Sequence, residues 1–343
     1  MLSFRQVAPL ALAISTVAAL VPQAHADTFT AIYGTPALDR WNYPFNPTPG
    51  TRIVASTFGN DPTSTMFDNR DGQFIVGFNT GAQIPAGLGA STYTIQSCVV
   101  EITYANDQIV QYDATVDPYN GFLAPTDPDY IEDADPGQPL EMYGVGFRNG
   151  FSLATWTEYT PYSPLSPLDQ SVRSAYALGT NASGQWVDVS NSVRQHWTPS
   201  PFAVGTIKGL KPGAFVPINS RVRFALDVSR ADVQQYLRTA VDAGRMRLTV
   251  SSLTKVVQQG GNFPTFYCRE NPIVTATGVG AATLAITVST STCAPADLNC
   301  DGSVNAQDLA TLLSQWGGPG SADLNHDGIV GPQDLAVLLG AWG

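Results

Sequence analysis

The sequence predicts a mainly β protein. A β-sandwich of jelly-roll type with one or two short helices is expected over residues 27–290, and residues 291–296 link it to a small all-α module over residues 297–343. Three observations predict this. Apolar residues alternate at a two-residue period in five separated segments, the pattern of half-buried strands. Charged residues are only 13% while Gly and Pro number 31 and 25, a composition of turn-rich β proteins. The third is a repeat: residues 297–317 and 323–343 agree at 14 of 21 positions, which makes the C-terminal segment a duplicated unit.

Taken from the N-terminus, Arg5 precedes an apolar run from Val7 to Val21, then Ala24-His25-Ala26. A short basic start, an apolar stretch of that length and an A-x-A site describe a cleavable secretory leader over residues 1–26 rather than a membrane span. The mature chain is then expected to be secreted or cell-surface, with no membrane span. A net charge of −11 argues against nucleic acid or an anionic membrane as partner.

The strands follow. The alternating sets are Phe74, Val76, Phe78; Cys98, Val100, Ile102, Tyr104; Val222, Phe224, Leu226, Val228; Met246, Leu248, Val250; and Leu284, Ile286, Val288. One helix is expected among them, with Ser229 as N-cap, the stripe Val233, Tyr236, Leu237, Ala240, and Gly244 as terminator. A second strand-then-turn echo lies at Asp188–Ser190 with Val193 and Trp197.

Candidate chemistry in the body is sparse. Trp41, Tyr43 and Phe45 alternate between prolines, so an extended backbone would put their rings on one face. They are the candidate carbohydrate-binding residues, because a row of rings matches sugar faces; core packing is the alternative. The same two readings apply to Trp156, Tyr159 and Tyr162. Catalytic residues are not assigned: there is no G-x-S-x-G elbow and no H-E-x-x-H, and His196 reads as a surface or packing residue. Glu101 and Glu158 are the carboxylates that a glycoside hydrolase could use, but spacing does not pair them. The acidic run Asp127–Asp135 reads as a solvated Pro-rich loop. An oxidising destination favours two disulfides among the four cysteines, Cys293–Cys300 and Cys98–Cys268 being the expected pairing.

The duplicated unit is the most specific signal. A hard divalent cation of calcium's size takes six to eight oxygens, which a 12-residue loop supplies from positions 1, 3, 5, 7, 9 and 12 around a Gly at position 6. In the first loop these are Asp297, Asn299, Asp301, the Ser303 carbonyl, Asn305 and Asp308, with Gly302 at the turn. In the second they are Asp323, Asn325, Asp327, the Ile329 carbonyl and Asp334, with Gly328 at the turn and Gly331 leaving position 9 to a water. Apolar stripes at helical spacing follow each loop: Leu309, Leu312, Leu313, Trp316 and Leu335, Leu338, Leu339, Trp342. No helical pattern precedes either loop.

Tandem loop–helix EF-hand halves with Asp at position 12 make residues 295–343 resemble the type I dockerin domain. The resemblance implies a secreted module that folds on two calcium ions and docks onto a cohesin-like protein or another surface anchor. Where that family's docking residues lie, this chain has Ala306, Gln307, Pro332 and Gln333, and no Lys or Arg follows Arg269. The body resembles the DNRLRE-type sandwiches of secreted bacterial proteins over about half its length. By association with dockerins the chain is expected to be a non-catalytic binding or scaffold-associated component of extracellular polysaccharide degradation. A glycoside hydrolase or lyase, and a structural cell-surface protein anchored by its tail, are the alternatives.

Overall fold

The structure, a computed structural model, describes residues 26–164, 173–256, 262–291, 294–299 and 301–343. Residues 1–25 of the expected 1–26 leader and both members of the expected Cys293–Cys300 bridge lie outside the described residues. The chain divides into two compact units, one formed by Ala26–Ser291 and the other containing Thr292–Gly343.

In the larger unit the strands are β1 (Ala26–Tyr33), β2 (Leu38–Asn42), β3 (Val54–Ser56), β4 (Gln73–Phe78), β5 (Tyr93–Thr103), β6 (Glu141–Phe147) and β7 (Ala175–Thr180). They continue as β8 (Trp186–Asp188), β9 (Ala203–Val204), β10 (Arg221–Ala225), β11 (Met246–Ser251), β12 (Thr265–Tyr267) and β13 (Thr283–Ser291). Two helices, α1 (Ala231–Asp242) and α2 (Pro272–Thr277), interrupt them. One sheet runs β1-β13-β5-β10; a second runs β2-β4-β11-β6-β7-β8, with β9 also on β6; β12 and β3 form a separate pair. The pairings between these strands are antiparallel.

Val100, Phe224, Leu284 and Ile286 of the first sheet share one buried cluster with Phe74, Val76, Met142 and Leu248 of the second. The two sheets therefore face each other across a single apolar core, which is a β-sandwich. Helix α1 closes the same core with Val233, Leu237, Ala240 and Val241. Burying each of the Val and Leu side chains contributes roughly 1.5–3 kcal/mol.

Alternation holds in β10 and β13, where every second residue is buried, but β4 and β11 are buried at all six positions. The reason is a second layer: Ile75 of β4 packs outward with Leu38, Val145, Trp156 and Ala175. Strand β6 gave little sequence signal because of Gly144 and Gly146. Their bareness is required, since a Cβ would stand 2.6 Å from the Tyr236 ring at Gly144 and 2.3 Å from the Tyr176 ring at Gly146.

Helix α1 begins one residue later than expected. Its N-cap is Arg230, without a side-chain cap, because the Ser229 hydroxyl donates to Asp227 Oδ1 at 2.5 Å instead. Asp232 in the first turn accepts from Arg230 and Thr180, favourable at a helix N-terminus. Gly244 ends the helix region at φ +66°, the left-handed conformation that Gly adopts without strain. The Ser190–Trp197 segment forms single turns rather than a regular helix, with Gln195 N–H donating to Asn191 O at 3.1 Å.

In the other unit, α3 (Ala306–Ser314) and α4 (Pro332–Gly340) each follow one loop. The repeat is visible in the packing: Ala296, Val304 and Leu312 are buried together with Ala322, Val330 and Leu338, their counterparts 26 residues on.

Candidate metal centres

Each tail loop is folded tightly on its own backbone. Asp297 accepts N–H bonds from Asp301 at 3.1 Å and Gly302 at 2.9 Å; Asp323 does the same from Asp327 at 3.1 Å and Gly328 at 2.8 Å. Gly302 and Gly328 stand at φ +91° and +95°, where a side chain would be strained. Asn299 and Asn325 accept from Asp301 N–H and Asp327 N–H, each at 3.0 Å. Asp301 and Asp327 accept in turn from Ser303 N–H at 2.9 Å and Ile329 N–H at 3.0 Å. Asn305 caps α3 by accepting from Gln307 N–H at 2.8 Å, whereas Gly331 has no side chain to cap α4.

Position 12 closes each loop. Asp308 accepts from Asn299 N–H at 3.0 Å and Asn305 N–H at 2.9 Å. Asp334 accepts from Leu324 N–H at 2.7 Å, Asn325 N–H at 3.0 Å and Gly331 N–H at 2.7 Å. Both carboxylates are fully buried. Burial alone would push Asp334 up, but the N–H groups of Gly331, Asn325 and Leu324 outweigh it and hold the carboxyl below its ordinary value. It is thus a buried anion in a segment with no Lys or Arg. The donor set is all oxygen, without an assigned thiolate or imidazole, and fits a hard cation such as calcium rather than zinc.

Not all of the expected apolar stripe is core. Leu312 and Leu338 are buried, while Leu313, Trp316, Leu339 and Trp342 are 52%, 45%, 52% and 45% exposed. These four form two matching Leu/Trp pairs, one per repeat.

Among the described residues, two groups of three carboxylates bring their oxygens within 4.8 Å of one another, both in the body: Asp39, Glu158, Glu270 and Asp113, Asp117, Asp135. They differ in what balances them. Arg269 stands among the first group, donating its backbone N–H to Asp39 at 2.7 Å and Nε to Glu270 at 2.6 Å, and pairing with Glu158 through Nη2. Burial, with Glu270 beside it, still pushes Asp39 up to about 8. The second group has no such cation: among the described residues none of its members is in an ion pair. Burial, followed by Asp113, Asp133, Asp135 and Glu141, pushes Asp117 up to about 8. The acidic run is half-buried to exposed, as a solvated loop is, but its Asp135 reaches back to Asp113 and Asp117 outside it. That convergence was hidden by the separation in sequence between Asp113 and Asp135.

The aromatic row folds onto itself. Tyr43 stacks on Trp41 at 4.8 Å between centroids, Arg52 lies over the Trp41 ring at 5.0 Å, and Phe58 meets Trp41 and Tyr43 edge-on at 6.4 and 5.1 Å. Trp41 packs against the main core, and of the three only Phe45, 50% exposed, offers an open ring. The chain turns after β2, with Asn46 Nδ2 donating to Trp41 O at 2.8 Å, so the three do not continue one extended segment. Trp156 and Tyr162 are buried and Tyr159 is exposed.

Glu101 lies on β5 beside Arg221 at 2.7 Å, whereas Glu158 belongs with Asp39 and Glu270, so the structure does not pair them. His196 is exposed, 3.2 Å from Asp129. Sequence reading missed an open groove of about 1180 Å³ lined by Asn181, Ser183, Trp197, Arg230, Asp232 and Gln235. Its walls come from three separated segments, and no local pattern announces them.

The Cys98–Cys268 bridge is not formed: both are buried free thiols. Cys98 sits in mid-β5 opposite Ile286 of β13, whereas Cys268 follows β12, whose ladder partner is β3.

Comparison with protein-family models, with curated proteins and with solved structures found no match to this chain.

Proposed function

We propose that the C-terminal unit is a dockerin-like docking module organised by two calcium ions, and that the chain is an exported, non-catalytic binding or scaffold-associated component of extracellular polysaccharide degradation. The observation that carries the calcium reading is Asp334, a carboxylate wholly buried at position 12 of its loop in a segment without Lys or Arg. Asp297, Asn299, Asp301, Asn305 and Asp308, with the Ser303 carbonyl, would hold one ion. Asp323, Asn325, Asp327 and Asp334, with the Ile329 carbonyl, would hold the other. Each ion supplies two positive charges, taking the six tail carboxylates from −6 to −2. The two exposed Leu/Trp pairs offer apolar area to a protein partner.

For the body, the groove beside Trp197 combines one indole with amide, hydroxyl and charged groups, which suits a polar sugar chain better than the self-stacked Trp41 row. The test is calorimetric titration of calcium into chelator-treated protein, followed by retention on insoluble polysaccharides and a reducing-sugar assay. Two equivalents bound by the tail and retention without sugar release are expected. Absence of calcium heat defeats the module reading, and sugar release moves the body to the hydrolase alternative.

A further inference from the structure

We infer that the β-sandwich body carries its own divalent-cation site of the calcium class, built from Asp113, Asp117 and Asp135. The three residues come from two loops that Gly137 brings together. At φ +110°, a Cβ on Gly137 would stand 3.0 Å from the Gln111 carbonyl and 3.1 Å from Asp113 Cβ, so the Asp133–Gly137 loop lies directly on the strand-like segment before Asp113. Thr115 then sits between both sides: its hydroxyl oxygen lies 2.8 Å from Asp113 Oδ1 and 3.2 Å from Asp135 Oδ2, its one proton going to the nearer Asp113, and its N–H donates to Asp113 Oδ1 at 2.9 Å. Asp113 Oδ1 is thereby satisfied and Oδ2 is left over.

What is left over points to a ligand. Asp113 and Asp117 are 2% and 6% exposed, and Oδ2 of each is buried with no hydrogen-bond donor. Asp117 makes no hydrogen bond or ion pair with any described residue, yet its carboxylate lies within 4.8 Å of those of Asp113 and Asp135. Gln138 Oε1, beside them on the wall of a small cavity shared with Asp113, is likewise buried without a donor. Buried polar groups are ordinarily hydrogen-bonded, and buried charges paired or bound to metal. The contrast within this same protein lies in the cation: Asp39, Glu158 and Glu270 converge as closely and also leave Oδ1, Oε2 and Oε2 without a donor, but they enclose Arg269, whereas among the described residues no cation pairs with Asp113, Asp117 or Asp135.

The ligand chemistry narrows the ion. Carboxylate and amide oxygens without His or Cys are hard donors, which excludes zinc and copper preferences. Two loops with Asp135 on the exposed side leave positions for water and suit calcium's irregular coordination better than magnesium's strict octahedron.

The site does not depend on the tail, and the experiment isolates it. Calcium binding by full-length chelator-treated protein is measured by equilibrium dialysis up to about 10 mM, covering the range of extracellular calcium modules. Asp301→Ala and Asp327→Ala are introduced to weaken the tail loops. Adding Asp113→Asn and Asp117→Asn to that chain is expected to remove one bound equivalent per molecule, and an equal concentration of magnesium is expected not to displace it. The unfolding midpoint of the body supplies a second reading. Calcium should raise it in the wild-type chain but not in Asp117→Asn. No difference in bound calcium between the two chains, displacement by magnesium, or a midpoint indifferent to calcium would overturn the assignment.

Discussion

The Gly317 N–H donates to the Val330 carbonyl at 2.9 Å, and 26 residues on the Gly343 N–H donates to the Val304 carbonyl at 3.3 Å. Each loop of the tail is thus held by the chain leaving the other repeat's helix. Val330 N–H returns a bond to Gly318 O at 2.9 Å, so the two cation loops share one hydrogen-bonded seam.

That seam makes the two sites interdependent while their ligand sets keep them unequal. Loop 2 lacks a side-chain ligand at Gly331, so Asp327→Ala is expected to empty it at calcium levels where the Asp301→Ala loop still retains ion. Calorimetric titration of the two variants checks the order. Coupling through Gly317 and Val330 predicts that Asp327→Ala also weakens loop 1 by several-fold, whereas independent sites would leave loop 1 unchanged.

Trp41 is now expected to behave as a packing residue. Trp41→Ala should cost about 3 kcal/mol of body stability in denaturant titration, near the lower end for a core aromatic because the ring is only partly buried. Phe45→Ala should cost less than about 1 kcal/mol. A Trp41→Ala protein that keeps its stability but loses polysaccharide retention would restore the platform reading.

The legible parts of this fold were those whose signal is local. Phe74–Phe78, Val222–Ala225 and Leu284–Val288 announced strands because alternation is a property of neighbours, and the two tail helices announced themselves because each apolar stripe lies within one short run of a repeated segment. Strand β6 was illegible because Gly144 and Gly146 answer to Tyr236 and Tyr176, which lie far away in sequence. Asp117 was illegible as a site residue for the same reason, and Ser229 was misplaced as a cap because Asp227, two residues earlier, competes for its hydroxyl. The Trp41 row bends after β2: Trp41, Tyr43 and Phe45 still touch in order, but on a turn rather than an extended segment.

Asp39 should give the body a pH dependence in the neutral range. Its folded value of about 8 lies above the ordinary 3.8, so the native state binds the proton more tightly than the unfolded chain. Its contribution to stability is fully present below about pH 4 and is lost as pH rises through about 8, with a slope of at most about 1.4 kcal/mol per pH unit for one proton. Unfolding midpoints of the body transition should therefore fall between about pH 4 and 8 and level off above, and Asp39→Asn should flatten that fall. An unchanged slope in the variant would assign the dependence elsewhere.

The cysteines divide into two classes that mass spectrometry can separate. Burial pushes Cys98 up to about 12 and raises Cys268, so neither thiol should be alkylated in the native protein and both should be after denaturation without reductant. A peptide joining Cys293 to Cys300 is expected in the same non-reducing digest. Recovery of Cys98 linked to Cys268 would contradict two separate buried thiols.

The reciprocal bonds of the tail have a consequence for how molecules meet. Val304 is completed by Gly343 and Val330 by Gly317, so each half of the repeat is the other's missing edge, and the 14 shared positions make the halves nearly interchangeable. A chain that opened between α3 and the second loop could close just as well on the corresponding half of a neighbour, exchanging halves without losing a bond. Such an exchanged pair would leave the ligands of each loop unchanged and tie two sandwiches together through their tails.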